Sequence, residues 1–129
     1  THPEDHSSRA LVVALSVSRD VTNGMRQYLA DNHLRARAVI GISPDGGPSQ
    51  SSVQNEAQAR AIAVSTAHAV KQAVDRYRPE TIHLFTAAPQ ALAVLVGRHL
   101  SALPPVQLYE WRPEANNYCK SLLLSDVRP

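Results

Sequence analysis

A mostly parallel β-sheet flanked by helices on both faces, in the Rossmann-like manner, is the α/β architecture this sequence predicts, and three observations predict it. Segments of strand and helix character alternate in the order β-α-β-α-β-α-β-β with short connections, which calls for right-handed crossovers and parallel pairing. The first strand segment is almost continuously apolar, as a strand covered on both faces must be. The longest helical segment carries its alanines on one face, which suits close packing against a flat partner such as a sheet.

Residues 1–9 are polar and without periodicity, and read as a tail or linker remnant ahead of a domain at 10–126. His2 and His6 in this tail read as solvated residues rather than metal ligands. The strand Ala10–Ser18 follows, then Asp20, whose carboxylate can accept from the amides of a first helical turn. Val21, Met25, Tyr28 and Leu29 then form one apolar stripe. Gly24 falls inside this helix and weakens it. Arg37–Ser43 is the second strand. It runs into Pro44–Ser52, the stretch richest in turn formers and poorest in apolar residues.

A helix from about Asn55 to Arg78, roughly 35 Å long, begins with the capping-box pair Asn55 and Gln58 and stops at Pro79. Its buried face is expected to hold Ala59, Ile62, Ala63, Val70, Ala73, Val74 and Tyr77. Thr81–Phe85 is the third strand, Thr86–Ala88 a short turn, and Pro89 stands at the first position of the next helix. That helix carries Leu92, Leu95, Val96 and Leu100 and ends at Pro104 and Pro105. Val106–Glu110 and Tyr118–Leu124 are the fourth and fifth strands.

The 129 residues suffice for one domain with a single core. With 43% hydrophobic and 19% charged residues the balance is that of a globular chain, not a disordered one. No apolar run approaches the roughly 20 residues that cross a bilayer, and the N-terminus lacks a signal-peptide pattern, so a cytoplasmic location is expected. Cys119, the single cysteine, excludes an internal disulfide and a cysteine-rich zinc site. A net charge of +2 gives no coating for duplex nucleic acid, yet 11 of the 13 basic residues are arginines. Arginine is the better fork for phosphate and the better plane for stacking on bases, so a local anion site stays open.

Ligands of open parallel sheets bind beyond the carboxyl ends of the strands. Three points of the sequence collect there. At the first, Ser16, Ser18 and Arg19 lie between strand and helix and can hold an anion, or else Ser18 or Asp20 simply caps the helix and Arg19 is solvated. At the second, Thr86, Ala87, Ala88, Pro89 and Gln90 form a turn into a helix. Neither alanine can cap the amides of Gln90 and Ala91, leaving them to a ligand or to water. At the third, Trp111 can stack on a base while Arg112 meets a phosphate, or can pack as a rim residue. Tyr118 and Lys120 can reach the same rim.

Catalytic and metal residues are not identified. The chain has no G-x-G-x-x-G, no G-x-x-x-x-G-K-[ST], no G-x-S-x-G and no H-E-x-x-H. His83 sits inside a strand among apolar residues and reads as structural, His68 and His99 as helix-surface or interhelix residues, and Cys119 as inert. This favours a binder over a catalyst.

Four stretches together resemble the SAVED domain: Val13–Val21, Ile82–Pro89, Ala91–Arg98 and Val106–Trp111. The most specific part is the ordered series I-H-L-F-x-A-x-P, A-x-x-x-G-R and P-x-Q-L-Y-E, and the likeness covers about residues 10–124. SAVED domains are CARF-like sensors of CBASS anti-phage systems, built as two Rossmann-like units in tandem. The resemblance implies that the chain binds a cyclic di-, tri- or tetranucleotide second messenger, needs no cofactor, and is no enzyme by itself. It implies that ligand-driven oligomerisation activates an associated effector lying outside this chain, and that the chain corresponds to the C-terminal CARF-like half of such a domain. It also implies that Ser16, Ser18, Arg19, the turn Thr86–Gln90, Trp111 and Arg112 line the nucleotide face, with Tyr118 and Lys120 beside them. An alternative is a small Rossmann-like ring nuclease that cleaves cyclic oligonucleotides, for which Ser18 or Lys120 are the available groups. A third reading is an oligomerisation scaffold with a vestigial pocket.

Overall fold

The computed structural model describes residues 7–17, 19–43, 56–87, 90–100 and 104–124. The tail histidines, the turn-rich loop after the second strand and the expected capping residue Asn55 lie outside these described residues.

Among the described residues five strands and three helices follow in order: β1 (Ala10–Ser16), α1 (Thr22–Asp31), β2 (Ala38–Ile42), α2 (Glu56–Tyr77), β3 (Thr81–Ala87), α3 (Gln90–His99), β4 (Val106–Arg112) and β5 (Asn117–Leu124). The sheet runs β2-β1-β3-β4-β5, with the first four strands parallel and β5 antiparallel to β4. The crossover β1-α1-β2 moves one way across the sheet, whereas β2-α2-β3 and β3-α3-β4 move the other. With every crossover right-handed, that reversal places α1 on one face and α2 and α3 on the opposite face. It also creates a switch point between the carboxyl ends of β1 and β3, where Ser16 pairs with Ala87.

The two faces differ in chemistry. Under α2 and α3 the core is aliphatic: Leu11, Val13, Leu15, Ile82, Leu84, Val106 and Leu108 meet Ala63, Ala67, Val70, Ala73, Leu92 and Val96. The alanines of α2 let its backbone lie close to the strands, as the sequence pattern anticipates. Under α1 the core is aromatic. Phe85 and Tyr109 stack at 4.2 Å with planes 5° apart, and Tyr28 of α1 meets both edge-on. Tyr118 of β5 stands edge-on to Phe85 at 5.3 Å.

Several boundaries depart from the sequence reading. β1 stops at Ser16, where the hydroxyl accepts the Val21 amide (3.1 Å) and turns the chain; the expected strand end at Ser18 lies outside the described residues. Thr86 is not in a turn: Thr86 and Ala87 extend β3, since β1 supplies Leu15 and Ser16 as partners. Trp111 and Arg112 are in β4 rather than after it, because the hairpin to β5 pairs them with Tyr118 and Asn117. The α1 cap position is Val21, without a side-chain cap of its own, while Asp20 accepts from the first-turn amide of Thr22 at 2.8 Å, as the sequence reading expects. At the amino end Ser8 and Arg9 are tied in: Ser8 Oγ donates to the Arg35 carbonyl (2.8 Å), and the Arg9 carbonyl accepts from the Glu80 amide (2.6 Å).

His83, half-buried on the aromatic face, contacts the Tyr109 hydroxyl through Nδ1 at 2.8 Å. Burial, helped by the Lys120 charge, lowers its pKa to about 4. It is a structural, neutral histidine at pH 7, as its apolar flanks suggest. In the unfolded chain the imidazole protonates near its ordinary pKa of 6.5, whereas in the folded chain it resists until about 4. Stability is therefore full above pH 6.5 and falls as the pH drops from 6.5 towards 4. Urea melts across this range should show that slope in the native chain and a shallower one in His83→Gln. Equal slopes would mean that His83 is not held neutral.

Candidate functional site

An open cleft of about 240 Å³ lies on the α1 side, between the start of α1 and the β4–β5 hairpin. Its position follows from three local features. Ser16 is 7% exposed, and its clamp on the Val21 amide fixes the turn that presents Arg19 and Asp20. Helix α1 then carries Asn23 and Gln27, four residues apart and so on one side of the helix. Across from them the hairpin turn brings up Asn116, whose φ of 49° is tolerated because asparagine adopts the left-handed region more readily than most residues.

The floor is aromatic. Trp111 is half-buried and stands edge-on to Tyr118, centroids 5.4 Å apart at 75°. Above the indole lies the exposed Arg19 guanidinium, 5.2 Å from the ring centroid. Tyr118 is only 2% exposed; burial pushes its phenol up to about 12, and its hydroxyl makes a long 3.4 Å donation to the Thr86 carbonyl. It therefore serves as the wall that holds Trp111 upright. Gly24 explains why α1 comes so near. A Cβ there would lie 2.8 Å from Tyr118 Cε2 and 3.2 Å from Trp111 Cζ3. What reads in the sequence as a weak point of the helix is the gap that admits the rings.

The lining of the cleft carries both signs of charge. The Asp20 carboxyl is held below its ordinary pKa chiefly by the Thr22 hydroxyl and amide, with Arg26 and the Ser16 hydroxyl adding to this. The Asp20 carboxylate thus lines the cleft along with Arg19, and Asn23, Gln27 and Asn116 add carboxamides to it.

The candidate residues named from the sequence separate into groups. Arg19, Trp111 and Tyr118 come together in the cleft, with Ser16 supporting it from below. Thr86 and Ala87 end β3 behind Tyr118; the Thr86 hydroxyl is buried without a partner, and Ala87 packs against the aromatic core. Arg112 follows Trp111 in β4, so strand alternation sends it to the opposite face, where it pairs with Glu110 at 3.0 Å. Lys120 is exposed opposite Tyr109, two positions along β5 from Tyr118, and does not line the cleft. Ser18, Ala88 and Pro89 lie outside the described residues, as does the side chain of Gln90, whose backbone begins α3. Asn23, Gly24, Gln27 and Asn116 were not anticipated. The signals available were the 23/27 spacing on a helix next to a strand-end arginine, and an asparagine closing a tight turn.

A family model for the SAVED domain, the "SMODS-associated and fused to various effectors sensor domain", matches residues 1–124. The chain belongs to the SAVED family. It is 32% identical over 101 residues to CD-NTase-associated protein 4 of Enterobacter hormaechei subsp. hoffmannii (strain UCI 50), covering 78% of this chain and 20% of that protein. Its fold is similar to the Cap4 SAVED/CARF-domain receptor of Acinetobacter baumannii. The form with the cyclic trinucleotide 2′3′3′-cAAA superposes with TM-score 0.75 at 16% identity, covering 95% of this chain and 26% of the receptor. The form with 3′3′3′-cAAA gives 0.71 over 94% and 26%, again at 16% identity. The chain thus spans about a fifth to a quarter of the length of these relatives. The α/β architecture and the SAVED resemblance read from the sequence both hold.

Gly24→Ala tests the geometry of the site. Alanine gains about 0.8–1 kcal/mol of helix propensity, but overpacking a filled core typically costs about 1–3 kcal/mol. We expect a net loss of stability in denaturant melts together with a red shift of tryptophan emission as Trp111 is pushed outward. A stabilised variant with unchanged emission would show that α1 does not rest on these rings.

Proposed function

We propose that this SAVED chain is a sensing module that binds a cyclic oligonucleotide second messenger through the cleft between α1 and the β4–β5 hairpin. The observation that carries this reading is Trp111 under Arg19 at the carboxyl end of a parallel sheet. It offers a flat π-surface for a base and, within reach of the same ligand, a guanidinium for its phosphodiester. Family membership supports it, and so does the likeness of fold to a receptor solved with cyclic trinucleotides.

In the free chain Arg19 covers the indole. An exposed cation–π contact contributes only about 0.5–1 kcal/mol, less than the roughly 1–3 kcal/mol of a base–aromatic stack. A base can therefore displace the guanidinium, which is then released to meet a phosphate oxygen, a charge-assisted bond stronger than the contact it leaves. The ligand is bound, not cleaved, and no cofactor takes part. Binding drives association of SAVED units and switches on an effector of an anti-phage system, carried elsewhere in the same polypeptide or by a partner subunit, in the bacterial cytoplasm.

The test is a thermal-shift and calorimetric screen of cyclic di-, tri- and tetranucleotides, with the chain in its full coding context. At 100 times the dissociation constant the stabilisation should be about 2.7 kcal/mol. Arg19→Ala and Trp111→Ala should remove most of the shift, while Arg19→Ala leaves the unliganded melting point nearly unchanged, as exposed substitutions usually do. No shift with any ring would overturn the reading. A linear product from a labelled ring would replace it with a nuclease.

A further inference from the structure

The amino end of the sheet, opposite the cleft, gathers arginines from separate segments. Arg9 leads into β1, Arg35 and Arg37 lead into β2, and Arg76 and Arg78 stand at the end of α2, ahead of β3. Backbone bonds hold these segments side by side. The Arg37 amide donates to the Ala10 carbonyl at 2.7 Å, and the Glu80 amide to the Arg9 carbonyl at 2.6 Å. Side chains join them as well: the guanidiniums of Arg37 and Arg76 each lie 5.3 Å from the centroid of the half-buried Tyr77 ring. The same end carries Asp31, Asp75 and Glu80. Among the described residues, however, the ion pairs are Arg60–Glu56 and Arg112–Glu110, so the exposed Arg9, Arg35, Arg76 and Arg78 are not neutralised by these carboxylates. Helix C-termini attract cations, which accounts for Arg76 in the last turn of α2. It does not account for Arg9, Arg35 and Arg37, which precede strands. Arg78 stands out for its backbone: its φ is 50°, the left-handed conformation in which helices usually end on glycine because a Cβ is disfavoured there. A guanidinium is thus kept where the fold alone favours glycine, and strain of this kind points to a use for the side chain.

We propose that this arginine rim is a second binding surface, which holds the phosphate backbone of a nucleic acid strand independently of whatever the cleft binds. The rim lies at the entries of β2, β1 and β3, three neighbouring strands about 4.8 Å apart, so it spans about 10 Å. One strand of a duplex carries a phosphate about every 3.4 Å along the axis, so about three phosphates match that span. Each guanidinium fork can meet two phosphate oxygens at once. Tyr77 favours a nucleic acid over an acidic peptide. The exposed Arg76 guanidinium beside that ring extends a flat surface on which a base can stack, and a peptide carboxylate has no use for it. Contacts to the backbone carry no base information, so the surface is indifferent to sequence.

Fluorescence anisotropy of the 129-residue chain tests this with three labelled probes: a short DNA duplex, its single strand, and polyglutamate. The logarithm of DNA affinity should fall with the logarithm of salt concentration, with a slope of about −2.7 for the duplex or about −2.1 for the single strand if three phosphates are met. The arm that binds more tightly names the form of nucleic acid. Arg35→Gln combined with Arg78→Gly should weaken DNA binding at least about tenfold at low salt and reduce the slope by about 2. Arg60→Gln removes one charge near the start of α2, away from the rim, and should leave affinity within about twofold. Arg78→Gly alone should raise the melting temperature while weakening DNA binding, because the strain and the phosphate contact leave together. An arginine that served only the fold would lower the melting temperature and leave DNA affinity unchanged. The proposal is overturned if neither form of DNA binds, if Arg60→Gln weakens binding as much as the rim variants do, or if polyglutamate binds as tightly as DNA. That last result would assign the rim to an acidic protein instead. None of these outcomes bears on the sensing function of the cleft.

Discussion

The approach of helix α1 to the rings of Tyr118 and Trp111 is the contact on which the site depends. It requires a residue without a side chain at position 24, since a Cβ there would lie 2.8 Å from Tyr118. Because the gap exists, the first turn of α1 and the end of β4 form two walls of one cleft rather than two separate surfaces. The same contact explains the burial of Tyr118, which closes the edge of the aromatic core and supports the indole from behind. A helix one methyl further out would leave Trp111 leaning on solvent and Asn23 and Gln27 too far from Asn116 to share a ligand.

The two faces of the sheet divide the work. Opposite α2 and α3 lies a conventional aliphatic core, in which packing volume is what counts. Opposite α1, Phe85, Tyr109, Tyr28 and Tyr118 form a connected set of ring contacts, each contributing about 0.5–1.5 kcal/mol beyond the area it buries. Only the last member, Trp111, reaches the surface. The indole is thus anchored in the core by rings whose orientation is already fixed, so little side-chain freedom remains to it. Arg19, by contrast, is exposed, and a contact such as it makes with the indole contributes only about 0.5–1 kcal/mol.

The sequence made the sheet legible because its strands are apolar runs bounded by turn formers, and made the helix order legible through the 3.6-residue stripes and prolines. It was misleading wherever pairing partners extend an element. Thr86, Ala87, Trp111 and Arg112 look like turn or rim residues locally, yet each has a neighbouring strand to bond to. Arg19 and Trp111 were identifiable as strand-end residues, but their mutual stacking was not, since 92 positions separate them and only the β1-β3-β4 order brings them together. Arg112 shows the converse: it is adjacent to Trp111 in sequence, and the alternation of the strand carries it to the other face. Gly24 was misread for a related reason. Propensity assigns a cost to glycine in a helix, whereas the benefit lies in a tertiary contact that no local window contains.

The charge arrangement narrows what the site can do more than its shape does. A binding surface built only for polyanions accumulates cations, as phosphate contacts dominate such affinity. Here the Asp20 carboxylate, held below its normal pKa, lines the cleft together with Arg19, so the lining carries both signs of charge. A cleft with an aromatic floor and both signs of charge offers stacking and hydrogen bonding beside charge. The nearby Glu110–Arg112 pair is solvent-exposed on the opposite face, and such pairs contribute only about 0–1 kcal/mol. That guanidinium can therefore part from its carboxylate at little cost to the fold. Arg112 thus stands apart from the cleft, and a substitution there leaves the cleft's own lining unchanged.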